Sequence, residues 1–267
     1  MSRIADTFAQ ARARRRPVFV AYITAGDPSA AATVELVAAL ERAGVDIVEI
    51  GVPFSDPIID GPIIQAAAGR ALDAGTTLAT TFEMARAIRR RSQMPLVLYS
   101  YLNPLLRFGI DATARTARAA GIDGMLTVDL PVGAAPEVTR SFRDHGLDPV
   151  FLITPTTSPA RRALIAEQAR GFIYLVALRG VTGVQDASAD AIAPLVADVR
   201  RLTEVPIAVG VGIKRPEQVA SIGKVADAVV VGSALVAVIG DHAGAADLVP
   251  RLERAAGELV AALPTRG

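Results

Sequence analysis

Short apolar, β-branched runs alternate along the chain with segments whose apolar residues recur at helical spacing, and Gly, Pro and Asp separate the two. Eight runs are predicted as strands: 18–24, 46–51, 95–101, 124–130, 149–154, 171–178, 206–212 and 227–233. The spacing predicts helices over 30–43, 78–91, 111–120, 133–145, 159–169, 190–202 and 215–222. Strands that are apolar on both faces and alternate with helices indicate a parallel sheet covered on both sides.

The number of these units predicts the fold. Eight strand–helix units in 267 residues match an α/β protein with a single (β/α)8 TIM barrel. The segment before the first strand is predicted to be an extra N-terminal helix that closes the barrel's bottom. A doubly wound open sheet is the alternative, but it usually has a glycine-rich fingerprint after its first strand, and ITAGDPS (23–29) has a single glycine. No linker interrupts the pattern, so residues 1–267 are predicted to form one domain.

Two connections, 52–94 and 179–205, are too long for a simple loop and helix. Long loops in compact domains tend to be functional. Each of these follows a strand, so both are expected at the C-terminal face of the barrel, where enzymes with this fold have their active sites.

Composition excludes several classes of function. The formal net charge of +1 gives no electrostatic footprint for nucleic acid, and the basic run 11–16 is interpreted as an exposed helix end. The chain has no cysteine, which excludes disulfides and thiolate catalysis. No apolar run reaches membrane-spanning length, and the N-terminus lacks the apolar core of a secretion signal, so a cytoplasmic location is expected.

The stretch VEIGVPFSDPIIDGPIIQ (48–65) places three carboxylates among apolar, Gly and Pro residues. Glu49 falls near the end of the second strand, on the same face as Ile47. Burial there would raise its pKa toward neutrality, which suits a general acid/base. A pairing with an arginine at the rim is the structural alternative.

The other two carboxylates of this stretch follow in the long loop. Asp60 belongs to an Asp-Gly-Pro turn, and it can meet Glu49 over one barrel mouth because its loop starts from the same strand. Two acids in different surroundings can divide their roles, one exchanging protons and the other staying ionised. Asp56 is expected on the outer part of the loop, in a turn or a partner contact.

A second signal lies at the last two strands, which end VGVGIK (209–214) and VVGSAL (230–235). Glycines there let backbone N–H groups approach an anion, and the following helix adds its dipole. Phosphate sites in TIM barrels recur after these strands, so a phosphate site is predicted, which Gly183 could complete.

The remaining reactive side chains are few. The two histidines, His145 and His242, lie away from strand ends and show no ligand spacing, so neither a metal nor a cofactor is expected. Tyr174 either lines the cavity or fills the core, and from position alone the core is favoured. A Schiff base is disfavoured because no lysine lies on a strand, although Lys214 just follows one.

Taken together, the motifs resemble the tryptophan synthase alpha subunit along essentially the whole chain. The matching segments are 22–29 (YITAGDPS), 48–65, 101–109 (YLNPLLRFG), 129–132 (DLPV), 180–183 (GVTG), 209–219 and 229–236. The resemblance implies a lyase that cleaves indole-3-glycerol phosphate to indole and glyceraldehyde 3-phosphate by a metal-free retro-aldol reaction. It also implies a pyridoxal-phosphate-dependent beta subunit as partner in a heterotetramer, which receives the indole.

The resemblance further implies roles for individual residues. Glu49 would be the acid/base, and Asp60 would hold the indole N–H. The substrate-binding residues would be Tyr22, Ile64, Tyr101, Leu126 and Ile153 around indole, Tyr174 beside the glycerol chain, and Gly183, Gly212, Gly232 and Ser233 at the phosphate. Asp56 and Pro57 would face the beta subunit.

This chain departs from the family pattern around the sixth and seventh strands. The departures are Ala177, Leu178, Arg179, Val211 and Lys214. They leave both carboxylates and the phosphate glycines in place, and they concern closure of the sixth loop and its response to the partner. Three alternatives stay open: a stand-alone lyase that releases indole, another phosphosugar lyase or isomerase, and a weakly active scaffold that activates a beta-type partner.

Overall fold

The strands close into a parallel barrel in chain order. The computed structural model describes residues 2–176, 189–210 and 212–265. The strands in these residues are β1 (Val18–Thr24), β2 (Ile47–Gly51), β3 (Leu96–Ser100), β4 (Gly124–Thr127), β5 (Asp148–Ile153), β6 (Ile173–Val176), β7 (Ile207–Gly210) and β8 (Ala228–Val231). Each pairs in parallel with its sequence neighbours, and β8 pairs with β1. The TIM barrel is therefore confirmed, and the open sheet is excluded.

Helices cover the outside of this barrel. Those in the described residues are α1 (Arg3–Ala13), α2 (Ala30–Arg42), α3 (Pro62–Asp73), α4 (Leu78–Arg89), α5 (Leu102–Phe108), α6 (Ile110–Ala120), α7 (Pro136–Asp144), α8 (Pro159–Gln168), α9 (Ala189–Arg200), α10 (Pro216–Gly223), α11 (Ser233–Asp241) and α12 (Leu248–Val260). The helices named from the sequence do not include α3, α5, α11 or α12, although the apolar residues of α12 recur at helical spacing. α5 is short and α11 is apolar nearly all round, so neither shows a clear helical period.

Local sequence explains where many of the helices start. Ser29, Thr77 and Ser158 each accept a hydrogen bond from a backbone N–H in the first turn of α2, α4 and α8. Helices α3, α7, α8 and α10 have proline at their first position, where the missing N–H would in any case have no helical partner.

Several strands end earlier than predicted. The fourth strand ends at Thr127 and the eighth at Val231, and the sixth ends at Val176 before residues that lie outside the described part of the chain. The apolar composition of these strands continues past the last ladder hydrogen bond, and at β8 it continues into α11, which begins at Ser233. Composition therefore does not mark the point at which a strand becomes a loop.

Side chains alternate between the barrel interior and the layer under the helices. Ile47 belongs to the inner apolar cluster, and Val48 and Ile50 belong to the outer one. Glu49 has the same parity as Ile47 and therefore points into the barrel, as the alternation predicts.

The extra N-terminal helix closes the bottom of the barrel, as predicted. Ile4, Phe8 and Ala11 of α1 are buried in the inner cluster, and the Phe8 ring lies 6.1 Å from that of Phe172. Ser2 caps the helix and its hydroxyl also donates to Asp148 on β5. With the bottom filled by side chains, the polar groups of the interior lie toward the opposite end.

The long connection after β2 contains α3 and α4, so its irregular part is the loop 52–61. The long connection after β6 falls largely on residues outside the described part. Among the described helices, none combines the length and the apolar character needed to cross a bilayer.

Candidate active site

Glu49 is a carboxyl group buried in the upper barrel, with no ion-pair partner among the residues that the structure describes. It is 1% exposed, and neither Oε1 nor Oε2 has a hydrogen-bond partner among the described residues. The pairing of Glu49 with an arginine, considered above, is therefore not found among the described residues. Because the apolar surroundings disfavour its charged form, burial raises the pKa of Glu49 to about 8.

Asp60 lies in the loop 52–61, two residues before α3, and two phenols hold it. The Tyr99 hydroxyl donates to Oδ1 at 3.0 Å and the Tyr101 hydroxyl donates to Oδ2 at 3.1 Å. Burial raises the pKa of Asp60, and the two hydrogen bonds oppose that rise because they favour the ionised form. Asp60 thus has two hydrogen bonds that favour its anion against the larger effect of burial, whereas Glu49 has none among the described residues.

The two carboxyl groups act on the same neighbours. Burial raises the pKa of Tyr22, and the charges of Asp60 and Glu49 raise it further. The pKa of Tyr174 is also raised by burial first, and then by Glu49 and Asp60 among others. Both carboxyls therefore lie near the same two phenols, Tyr22 and Tyr174, toward the C-terminal end of the barrel.

All four tyrosines of the chain lie near one or both of these carboxyls: Tyr22, Tyr99, Tyr101 and Tyr174. The rings of Tyr22 and Tyr99 meet edge to face at 5.0 Å, and Phe54 lies 4.9 Å from Tyr101. Sequence reasoning missed Tyr99. The signal that could have found it is its spacing of two from Tyr101, which places both on one face of the third strand.

Two glycines make room for these phenols, and sequence reasoning missed them as well. A Cβ on Gly51 would collide with the hydroxyl of Tyr22, and a Cβ on Gly210 would collide with that of Tyr174. Each glycine lies on the face of its strand that points into the barrel, two residues after Glu49 on β2 and two residues after Ala208 on β7. The phenols therefore lie over bare backbone at both positions.

The predicted apolar slot is only partly assembled as expected. Leu126 is buried in the inner cluster, and Ile64 of α3 packs in a small cluster with Tyr22. The expectation for Ile153 is wrong, since this residue is fully buried in the outer cluster under the helices. Alternation along β5 points its neighbour Leu152 inward instead.

The predicted phosphate site is described in part. Gly232 and Ser233 form the N-terminus of α11, and a Cβ on Gly232 would come within 3.3 Å of the Tyr22 Cβ. The first backbone N–H groups of a helix lack helical partners, and the helix dipole favours an anion there. Gly212 is exposed and has a φ of +60°, a conformation that glycine adopts readily. Gly183 lies outside the described residues.

The protein-family model for the tryptophan synthase alpha chain matches residues 8–263 of this chain. The chain belongs to this family. The alpha chain of Solibacter usitatus is 48% identical over 259 residues, which cover 97% of each protein, and that of Halorhodospira halophila is 48% identical over 256 residues, covering 96% of this chain and 94% of the relative.

Solved structures agree. The tryptophan synthase alpha subunit of Legionella pneumophila has a TM-score of 0.91 at 35% identity, with 98% of each chain covered. A structure of Mycobacterium tuberculosis tryptophan synthase gives a TM-score of 0.90 at 37% identity, with 100% of this chain and 99% of that chain covered.

Tryptophan synthase alpha chains are lyases of tryptophan biosynthesis that cleave indole-3-glycerol phosphate, and they work with a beta subunit. As a member of the family, this chain is such a lyase. The family departures Ala177, Leu178, Arg179 and Val211 all fall outside the described residues. Lys214 is exposed, so it lacks the desolvation that activates a Schiff-base lysine.

The loop that carries Asp60 also carries the most exposed large hydrophobic side chain of the described residues. Ile58 is 85% exposed, beside the exposed Asp56 and the half-buried Pro57. The loop is nevertheless held from inside, because the Ile59 N–H donates to the Tyr101 hydroxyl at 3.1 Å and the Gln65 amide donates to the Asp60 carbonyl at 2.8 Å. The same loop therefore directs Asp60 toward the candidate active site and Ile58 toward solvent.

Proposed function

We propose that Glu49 is the acid/base of the lyase reaction. The observation that carries this proposal is a buried carboxyl with no partner among the described residues and a pKa raised to about 8. Such a group is protonated near neutral pH and can donate, and its conjugate base is a stronger proton acceptor than an ordinary glutamate. Both properties suit a residue that must do each in turn.

Glu49 gives one proton to the indole ring and takes another from the glycerol hydroxyl, so it ends the reaction protonated. Glu49 donates its proton to C3 of the indole ring, and the resulting carboxylate takes the proton of the glycerol hydroxyl next to the scissile bond. The carbon–carbon bond then breaks, its electrons restore the aromatic ring, and the hydroxyl carbon becomes the aldehyde of glyceraldehyde 3-phosphate. Indole is released and Glu49 is again protonated.

Asp60 has the complementary role. Protonation at C3 puts positive charge on the ring, and an ionised carboxylate at the indole N–H stabilises that charge more in the transition state than in the substrate. The hydrogen bonds from Tyr99 and Tyr101 support this role because they favour the ionised form of Asp60.

The other groups bind the substrate. We assign the walls of the indole slot to Tyr22, Tyr101, Ile64 and Leu126, and Tyr174 to the glycerol chain. Gly232, Ser233 and Gly212 would hold the phosphate, and Gly183 keeps its expected role there.

The partner we propose is a pyridoxal-phosphate-dependent beta subunit, in an alpha2beta2 heterotetramer in the cytoplasm. Asp56 and Pro57 are assigned to the contact. The exposed Ile58 between them and Asp60 supports this assignment, because an apolar side chain at a loop tip gains by burial against a partner. The same loop would then link partner binding to the position of Asp60.

Indole release from indole-3-glycerol phosphate, measured with and without the beta subunit, tests the function. Release that needs the partner supports the synthase, and equal high release in both supports a stand-alone lyase. Negligible release in both, with a beta subunit that is activated in the complex, supports the scaffold. Turnover of other phosphosugars in place of indole-3-glycerol phosphate would support a different lyase or isomerase.

The Glu49→Gln variant tests the mechanism. We expect kcat to fall by roughly 10²–10⁴-fold, because the amide cannot exchange a proton, while the variant stays folded. A kcat within a few-fold of wild type would reject the role of Glu49. Circular dichroism and thermal unfolding of the same preparation are the controls for the fold.

A further inference from the structure

A tyrosine on β3 and a second one directly after the strand hold the loop carboxylate of the site. Tyr99 is on β3 and Tyr101 follows it directly, and their spacing of two places both side chains on the inward face. Asp60 comes from the loop 52–61, which has no ladder hydrogen bonds of its own at that position. A strand that is paired on both sides thus provides a rigid support for a residue on a less regular segment.

The two phenols have different sets of contacts. The Tyr101 hydroxyl accepts a hydrogen bond from the Ile59 N–H and donates to Asp60 Oδ2, so it fixes the loop backbone as well as the carboxylate. In the described structure the hydrogen bond of the Tyr99 hydroxyl goes to Asp60 Oδ1. A change at Tyr99 therefore isolates the carboxylate contact, whereas a change at Tyr101 also releases the loop.

The pair of phenols leaves Asp60 able to bind substrate. An ionised carboxylate has about four lone-pair positions, and each phenol uses one of them on a different oxygen. Each oxygen keeps a free position for a further donor. One donor on each oxygen also fixes the rotation of the carboxylate plane, which a single hydrogen bond would leave free.

We propose that Tyr99 is a positioning residue for catalysis, whose hydroxyl orients Asp60 toward the indole N–H and keeps it ionised. This inference rests on the proposed role of Asp60. Tyr99 itself does not touch the reacting atoms in this scheme.

The proposal has a pH-dependent consequence. Among the described residues, the titratable groups that interact with Asp60 are Tyr99 and Tyr101 from the third strand and its end, Tyr22 from β1 and Tyr174 from β6. Glu49 from β2 acts on two of these phenols, Tyr22 and Tyr174. All four phenols have a raised pKa, with burial as the largest cause, so they stay neutral over the working range. Loss of the Tyr99 hydroxyl removes a hydrogen bond to the anion, so the pKa of Asp60 should rise.

The test is the pH profile of kcat/KM for indole release by Tyr99→Phe in the complex with the beta subunit, over about pH 5 to 9. We expect the acid limb to move to higher pH by about one unit, with an approximately tenfold loss of kcat/KM below the limb. Phenylalanine keeps the ring that packs edge to face on Tyr22, so the fold is preserved.

Tyr22→Phe is the matched control. It removes a phenol hydroxyl from the same aromatic cluster, but that hydroxyl lies 3.5 Å from the Thr24 Oγ1 and has no hydrogen bond to Asp60 in the described structure. Whatever it does to turnover, the acid limb should stay in place. An acid limb that is the same in Tyr99→Phe as in wild type would overturn the inference.

Two further measurements separate this inference from the proposed function. Asp60→Asn should lose most activity, and full activity in that variant would reject the function of Asp60 itself. If Asp60→Asn is inactive and the acid limb of Tyr99→Phe does not move, the positioning role of Tyr99 is rejected and the proposed role of Asp60 is kept. Should Tyr99→Phe be too slow for a profile, NMR titration of the Asp60 carboxyl carbon in both proteins decides: a raised pKa supports the role and an unchanged one removes it.

Discussion

At the scale of single residues, the candidate site depends on two carboxylic acids that have the same functional group but different surroundings. Glu49 is enclosed by apolar walls and Asp60 accepts two phenol hydrogen bonds. Sequence alone indicated both residues, because a charge inside an apolar strand and a second carboxylate behind proline turns are unusual. It did not single out Tyr99, since a tyrosine in an apolar strand is consistent with plain core packing and only its spacing of two from Tyr101 distinguishes it.

The raised pKa of Glu49 predicts how stability depends on pH. The pKa is about 8 in the folded protein against an ordinary value of 4.5. The folded state therefore binds this proton more tightly than the unfolded chain, so the contribution is fully present below about pH 4.5 and is lost as pH rises through about 8. Glu49→Gln does not titrate, so its free energy of unfolding should rise relative to wild type across this window, by at most about 5 kcal/mol.

Urea unfolding of both proteins at several pH values between these limits measures the difference. Glu217→Gln, at a side chain that is 80% exposed, is the control for the substitution itself. A difference between Glu49→Gln and wild type that does not change with pH would mean that Glu49 is not buried as a neutral acid.

At the scale of elements, the position of the site depends on how three segments are joined. Arg70 of α3 donates from Nε and Nη2 to both oxygens of Asp27, which lies in the loop after β1, at 2.8 Å each. The same guanidinium approaches the C-terminal turn of α11, since a Cβ on Gly240 would lie 2.9 Å from its Nη2. One side chain thus connects the first loop, the helix after Asp60 and the helix that begins at the proposed phosphate site.

Removal of Arg70 should be destabilising. Asp27 is 1% exposed and would be left buried without its partner, whereas the Arg70 side chain is 35% exposed. Breaking a fully buried pair typically costs about 3–5 kcal/mol, so we expect about 2 kcal/mol for Arg70→Leu because this pair is only partly enclosed.

Arg42→Leu is the matched control. Arg42 binds Glu253 in a pair whose side chains are 52% and 36% exposed, and exposed pairs add little to stability. Thermal unfolding should show a large fall in Tm for the first variant and little change for the second. Equal falls would mean that burial of Asp27 does not decide the effect.

At the scale of the whole molecule, the barrel collects the ends of eight strands at one face, and residues far apart in sequence meet there. We propose that the whole chain, residues 1–267, is one domain, because α1 fills the bottom of the barrel and α12 packs against α2. The partner surface proposed above would belong to the same face, since the loop that holds Asp60 also exposes Ile58.

We predict that Ile58→Asp weakens binding of the beta subunit by about tenfold or more, because a charge would replace an apolar side chain at the contact. Leu202→Asp is the control. Leu202 is an exposed leucine, 47% accessible, in the connection from α9 to β7, at the bottom of the barrel. Calorimetric titration measures both affinities, and an equal affinity for Ile58→Asp and wild type would place the partner contact elsewhere.

The sequence by itself determined the barrel, its added helix and the two carboxylates, because these depend on local patterns: apolar runs, helical spacing, and a charge where an apolar residue is typical. Only the tertiary structure decided that Glu49 lacks an ion-pair partner in the described chain, that four tyrosines converge, and that Ile153 faces the helices while Leu152 faces inward. These features depend on register and on the parity of each strand end, and both are set by contacts between segments that are distant along the chain.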